Sequence, residues 1–215
     1  MENMLTGLFG GSFNPPHIGH LLVITDILAI LPFKKVFFIP TRIPPHKDSL
    51  SLIEGMHRVH MLNTALQNIE KAEISTFEID NEEISYSYIT ISHFLERYSI
   101  KPAHLFFILG TDAFLLIKTW KKYPEILDMC NFLIITRPMY GREENLFKKF
   151  QKYYNILPFR KFVPGNSKTG IYFMDNLPLD ISSSMIRERI KKGLSIKYLV
   201  PPGIEDYILN NRLYQ

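Results

Sequence analysis

Six apolar runs of strand length recur along this chain: LTGLF at 5 to 9, KVFFIP at 35 to 40, AEISTFEI at 72 to 79, LFFIL at 105 to 109, FLIIT at 132 to 136 and IYFM at 171 to 174. Helical spacing fills the stretches between them. Leu21, Ile24, Leu28 and Leu31 make one apolar face, Val59, Leu62, Leu66 and Ile69 a second, and Ile91, Phe94, Leu95 and Tyr98 a third. A strand that is apolar at successive residues needs cover on both sides. The expected fold class is therefore α/β, a doubly wound parallel sheet with helices on both faces. Ligands of such sheets bind at the carboxyl ends of the strands.

Length and charge narrow the rest. The 215 residues suffice for one sizeable core, so residues 1–215 are expected to form a single domain, with a helical C-terminal portion from about 182 to 215. The segment from Gly141 to Lys168, rich in Lys, Tyr and Phe, reads as a helix followed by a looser loop, the place for a lid or insertion. The 25 basic and 21 acidic residues are interspersed, which suits an anionic small molecule and gives no ground for nucleic acid. Cys130 is the single cysteine and reads as a buried filler in a reducing compartment. With no basic leader and no apolar run near the roughly 18 residues of a membrane span, the expected location is the cytoplasm, away from membranes.

Between the first strand and the first helix lies GGSFNPPHIGH at 10 to 20. Gly10 and Gly11 permit backbone N–H groups to face a ligand, Pro15 and Pro16 stiffen the approach, and the helix start adds its dipole: an anion site. The segment matches neither G-x-x-x-x-G-K-[ST] nor G-x-G-x-x-G. His17 and His20, three apart, share a face where imidazole N–H groups can meet phosphate oxygens. Capping of the turn is the plainer role for them, and zinc ligation lacks further ligands except Asp26, nearly two turns from His20. A second pair, His57 and His60 in GMHRVHML, sits on an ordinary amphipathic helix and reads as a half-buried edge without chemistry.

GGSFNPPHIGHL resembles the nucleotidyltransferase superfamily marked by H-x-G-H, and more closely its bacterial nicotinate-mononucleotide adenylyltransferase branch. The resemblance extends in order through IPTRIPPHK at 39 to 47, SYSYIT at 85 to 90, ILGTDAFLLIKTW at 108 to 120, TRP at 136 to 138, LDISSSMIRERI at 179 to 190 and YLVPPGIEDYI at 198 to 208. It implies a Rossmann-like nucleotidyltransferase fold and transfer of AMP from ATP to nicotinate mononucleotide, giving nicotinate adenine dinucleotide and pyrophosphate in NAD biosynthesis. With ATP as co-substrate, Mg²⁺ is expected from the chemistry of ATP itself, and no metal site is assigned to protein ligands. His17, His20 and Arg187 take the catalytic positions, with His20 foremost in stabilising the transition state. Gly10, Gly11, Ser12, Phe13, Gly110, Asp112, Ile181, Ser182 and Ser183 fall at ATP-binding positions. His46, Lys47, Ser87 and Trp120 fall at acceptor positions, with Trp120 beside the pyridine ring.

Two departures from the family pattern stand out. Ser87 replaces a threonine, and Lys121 stands where a second aromatic is common after the tryptophan, which bears on nicotinate against nicotinamide selectivity. Adenylyl transfer to nicotinamide mononucleotide or phosphopantetheine, a cytidylyltransferase, and a non-catalytic nucleotide- or RNA-binding module remain as alternatives. Oligomeric state, a homodimer included, is left open.

Overall fold

The computed structural model describes residues 4–43, 51–82, 84–136, 156–158, 169–174 and 179–215. Its centre is a seven-stranded sheet in the order β3-β2-β1-β4-β5-β7-β6. The strands are β1 (Leu5–Gly11), β2 (Phe33–Pro40), β3 (Ala72–Ile74), β4 (Leu105–Gly110), β5 (Asn131–Ile135), β6 (Ile156–Pro158) and β7 (Ile171–Met174), and every pairing is parallel.

Alternate residues of β1, β2, β4, β5 and β7 feed two separate cores. Phe106 and Ile108 of β4 join Phe9, Phe38, Leu133 and Tyr172 on one face. Leu105, Phe107 and Leu109 join Leu8, Phe37, Phe132 and Phe173 on the other. The first face is covered by Ile24 and Ile27 of α1 (Ile18–Ile30), Met61 and Leu62 of α2 (Gly55–Leu66), and two C-terminal helices described below. Short α3 (Phe77–Asp80) follows β3. The second face is covered by Ile91 and Phe94 of α4 (Ser87–Arg97), Phe114 of α5 (Thr111–Leu115) and Ile126 of α6 (Ile126–Met129). The doubly wound α/β sheet expected from the unbroken apolar runs is thus the observed one. Cys130 is fully buried on this second face, and burial pushes its thiol well above the usual range.

After β7 come α7 (Ser183–Lys191) and α8 (Ile204–Asn210), which add Ile186, Ile204 and Ile208 to the first face. Two local expectations change. The run at 72 to 79 is a strand only to Ile74, because Ser75 and Thr76 turn the chain into α3. Within the segment read as a helix and a loop, residues 156–158 form the edge strand β6, ending in Pro158, where a missing N–H costs the ladder nothing. The remainder of Gly141 to Lys168 lies outside the described residues.

The chain runs outward from β1 to β2 and β3, then returns to place β4 on the other side of β1. The strand order reverses between β1 and β4, which opens a crevice at their carboxyl ends. Gly10 and Gly110 lie at those two ends.

Candidate active site

The loop after β1 is shaped by close approach. Phe13 takes a left-handed φ of 46°, and its ring folds back so that a Cβ at Gly11 would lie 3.1 Å from Phe13 Cζ. Phe13 is buried, standing 5.0 Å from the His20 ring and 5.7 Å from Phe9 between ring centroids. Its ring is therefore part of the first core.

His17 is the N-cap of α1 and His20 its third residue, with ring centroids 3.7 Å apart. The His17 backbone N–H donates to His20 Nδ1 at 3.1 Å. A neutral imidazole that accepts at Nδ1 carries its proton on Nε2, so the cap sets the tautomer that makes His20 Nε2 a donor. Capping and phosphate donation, alternatives in the sequence, are compatible here because they use opposite ring nitrogens. Gly19 permits this close approach: a Cβ there would sit 3.0 Å from His17 Nδ1. Among the described residues no group of three or more His, Cys, Asp or Glu side chains is placed to hold a metal ion.

Helix α7 docks onto the same loop. Ser182 is its N-cap, and its hydroxyl accepts from the Met185 N–H at 3.2 Å. The Ser183 hydroxyl donates to the Pro15 carbonyl at 2.8 Å. These hydroxyls therefore serve the protein's own architecture, and the first-turn N–H groups of α7 are the donors left for an anion. Ile181 packs against the first core. Arg187 donates through Nη1 to the Asn14 carbonyl at 2.8 Å and through Nη2 to Ser184 Oγ at 3.2 Å, which lays its guanidinium beside the loop that carries His17.

Across the strand reversal, a Cβ at Gly110 would meet no atom within 4 Å, so the space above β4 is open. Asp112 is exposed in the first turn of α5. Trp120 is half-buried, edge-on to Phe107 at 6.0 Å, and the Phe107 ring in turn lies 3.3 Å from the Cβ position of Gly10. Ser87 opens α4. Lys121 Nζ lies 4.3 Å from the centroid of Tyr86 and 5.8 Å from that of Tyr88, a cation–π contact beside Ser87. His46 and Lys47, like Arg137 and Pro138 of the TRP block, lie outside the described residues.

Four residues beneath the loop escaped the sequence reading: Asn14, Arg58, Glu78 and Tyr214. Asn14 is buried, donates to the Ser51 carbonyl at 2.7 Å and accepts from the Tyr214 hydroxyl at 2.9 Å. Arg58 is 1% exposed and donates to the carbonyls of Ser12, Thr41 and Ile53 at 2.9, 2.7 and 3.1 Å. A signal for Arg58 did exist, since it shares the apolar stripe of α2 with Met61, Leu62 and Ala65 at i+3, i+4 and i+7. An arginine on that stripe needs partners.

A family profile described as Cytidylyltransferase-like matches residues 8–189. The chain is 35% identical over 211 residues to a Clostridium novyi (strain NT) protein named "Probable nicotinate-nucleotide adenylyltransferase", covering 97% of this chain and 98% of that one. A Clostridium perfringens (strain SM101 / Type A) protein of the same name is 32% identical, with 97% of each chain covered. Among solved structures, a Plasmodium falciparum nicotinic acid mononucleotide adenylyltransferase complexed with NaAD is similar with a TM-score of 0.75 at 23% identity, covering 98% of this chain and 97% of that one. At that identity the likeness concerns the fold.

Proposed function

The chain belongs to the cytidylyltransferase-like family, among the nicotinate-nucleotide adenylyltransferases, and from that premise we propose that it transfers AMP from ATP to nicotinate mononucleotide, releasing pyrophosphate. The observation that carries the reading is the close pair His17 and His20 at the start of α1, where the strand order reverses.

A phosphate oxygen of the mononucleotide attacks the α-phosphorus of ATP, a new P–O bond forms, and the bond from that phosphorus to the oxygen bridging it to the β-phosphorus breaks. The nucleophile is already an anion near neutral pH, so the site needs no strong base. It needs alignment and donors for the charge that builds on the phosphoryl oxygens. His17 and His20 supply imidazole donors, and the backbone from Gly10 to Phe13 supplies N–H groups above the α1 terminus. Arg187 offers the leaving pyrophosphate a permanently charged fork whose remaining N–H groups are not used by Asn14 and Ser184. Ile181, Ser182 and Ser183 set the start of α7 against the same phosphates, and Gly110 at the end of β4 and Asp112 in the first turn of α5 face the nucleotide.

On the acceptor side, Trp120 and Ser87 receive the pyridine, with His46 and Lys47 assigned to the mononucleotide by resemblance. Lys121 adds a cation suited to a pyridine carboxylate. Mg²⁺ is assigned to ATP as part of the substrate: the side chains gathered at the loop are N–H donors, and a hard cation takes oxygen ligands. No step is routed through it. We place the reaction in the cytoplasm; among the described residues no helix is long and apolar enough to cross a membrane.

Pyrophosphate release from Mg·ATP tests the reading, with nicotinate mononucleotide, nicotinamide mononucleotide and phosphopantetheine offered separately. The expected preference is for the first. Equal rates on the two pyridine nucleotides would remove the deamido preference, and release with phosphopantetheine alone would overturn the assignment.

A further inference from the structure

Arg58 joins three segments that the sequence keeps apart. Its Nη1 serves the Ser12 carbonyl in the loop after β1 and the Thr41 carbonyl after β2, while Nε serves Ile53 just before α2. Thr41 is tied to the same loop a second time, through its N–H to the Gly11 carbonyl at 3.0 Å. On the far side of Thr41, buried Glu78 accepts from Thr90 Oγ1 at 2.6 Å. Ser85 receives the Arg42 N–H at 3.1 Å. A polar path thus runs from Ser12 through Arg58 to the Thr41 carbonyl, and from the Arg42 N–H of the same peptide to Ser85, with the Glu78–Thr90 pair beside it; Ser85 and Thr90 flank Ser87 at the start of α4.

This path is costly as packing. Burial lowers the Arg58 pKa to about 10, against the opposing fields of Tyr214 and Glu78, and the Glu78 carboxyl is shifted upward, chiefly by its own burial. Well-packed apolar side chains of like volume often stabilise a core as well as a buried ion pair does or better. What apolar residues cannot do is hold three carbonyls at fixed directions.

We infer that Arg58 is a positioning residue for adenylyl transfer, setting the ATP loop at Ser12, through the Thr41–Arg42 peptide, against the acceptor side at Ser85 and α4, with buried Glu78 as its relay on that side. The inference rests on the proposed activity. In-line attack demands that two separately held substrates meet at close range, and a misplacement of about 1 Å costs on the order of a hundredfold in rate. Arg58 touches neither substrate in this account. It acts through backbone carbonyls, so its loss shows in turnover more than in either affinity.

Arg58→Lys keeps the charge but has one short-ranged head in place of a fork. The expected result is a folded protein whose kcat falls about tenfold, while KM for ATP and for nicotinate mononucleotide each rise less than about threefold. Circular dichroism and melting temperature, taken on the same samples, give the folded fraction to which kcat is referred. A stability loss with wild-type kcat per folded molecule would assign Arg58 to stability alone and overturn the proposal. Arg58→Lys combined with Glu78→Gln tests the relay: a combined kcat loss well short of the product of the single losses is expected, and a full product would break the link. Wild-type protein that makes no dinucleotide would overturn the activity and the positioning role together. An active wild type with Arg58→Lys at full kcat would overturn the positioning role only.

Discussion

Two histidine pairs with the same spacing meet opposite fates. His17 and His20 occupy the N-cap and third residue of α1, beside a glycine loop at the reversal of strand order. His57 and His60 lie within α2 and both turn to Tyr207 of α8: His57 Nδ1 is 2.8 Å from the tyrosine hydroxyl, and the His60 ring stacks on it at 4.2 Å and 18°. A surface hollow of about 340 Å³ adjoins this second pair, lined by Glu54, Met56, Asn63 and Tyr207 as well. The difference lies in the surroundings. Both pairs reach the first turn of a helix, where N–H groups lack intrahelical partners, but α1 starts at the carboxyl end of β1, where the strand order reverses, with His17 itself as N-cap, whereas His57, the third residue of α2, and His60 are held against Tyr207. Spacing puts two imidazoles on one face; what the helix start opens onto decides what they can bind.

The comparison is broken most sharply at its first member. His20→Ala is expected to lower turnover by roughly a hundredfold to a thousandfold with little change in substrate affinity, as loss of one preorganised donor does; steady-state kinetics giving wild-type kcat would remove His20 from the mechanism. Gly19→Ala separates activity from stability. A Cβ 3.0 Å from His17 Nδ1 must displace the ring, so kcat should fall about tenfold while thermal stability holds or rises, since alanine favours a helix over glycine by about 1 kcal/mol.

On the acceptor side, Trp120→Ala should raise the mononucleotide KM several-fold, commensurate with loss of an aromatic contact of about 1 kcal/mol, and leave the ATP KM nearly unchanged. An effect on ATP alone would place the indole elsewhere. For the second histidine pair, His60→Ala should cost below about 1 kcal/mol in denaturant unfolding and leave kcat within about twofold. A large kcat loss there would erase the distinction between the pairs.

A pH signature accompanies the brace behind the first pair. Glu78 has a raised folded pKa, so as pH rises the unfolded chain gives up this proton before the native state does. The stabilising contribution is complete below the usual glutamate value and is lost as pH rises through the higher folded value. Melting curves should therefore show wild type losing ground to Glu78→Gln across that interval, and parallel curves would deny the shift.

The sheet was legible because burial on two faces writes itself as unbroken apolar runs. Where it was misread, local chemistry intervened: Ser75 and Thr76 end β3 in the middle of such a run, and β6 is a three-residue edge strand in a Lys- and Tyr-rich setting. At the site, the glycines, His17 and His20 could be read because a helix start and a strand end announce themselves locally. Asn14 and Tyr214 could not, since their meaning lies in partners 37 and 200 positions away, and for Arg58 the stripe of α2 signals burial but not the partner 46 positions away. Ser182 and Ser183 show the intermediate case. Their place at a helix start was readable, but the direction of each hydroxyl, toward Met185 and Pro15, depends on how α7 docks.

The role assigned to the first histidine pair is donation to phosphate oxygens, with no bond to phosphorus. Stereochemistry at the α-phosphorus reads this directly, using ATP made chiral there by sulfur substitution and nicotinate mononucleotide as acceptor. A single in-line displacement predicts inversion of configuration in the dinucleotide product. Retention would require two displacements, with the adenylyl group held covalently by the protein between them, and would contradict the role assigned to His17 and His20.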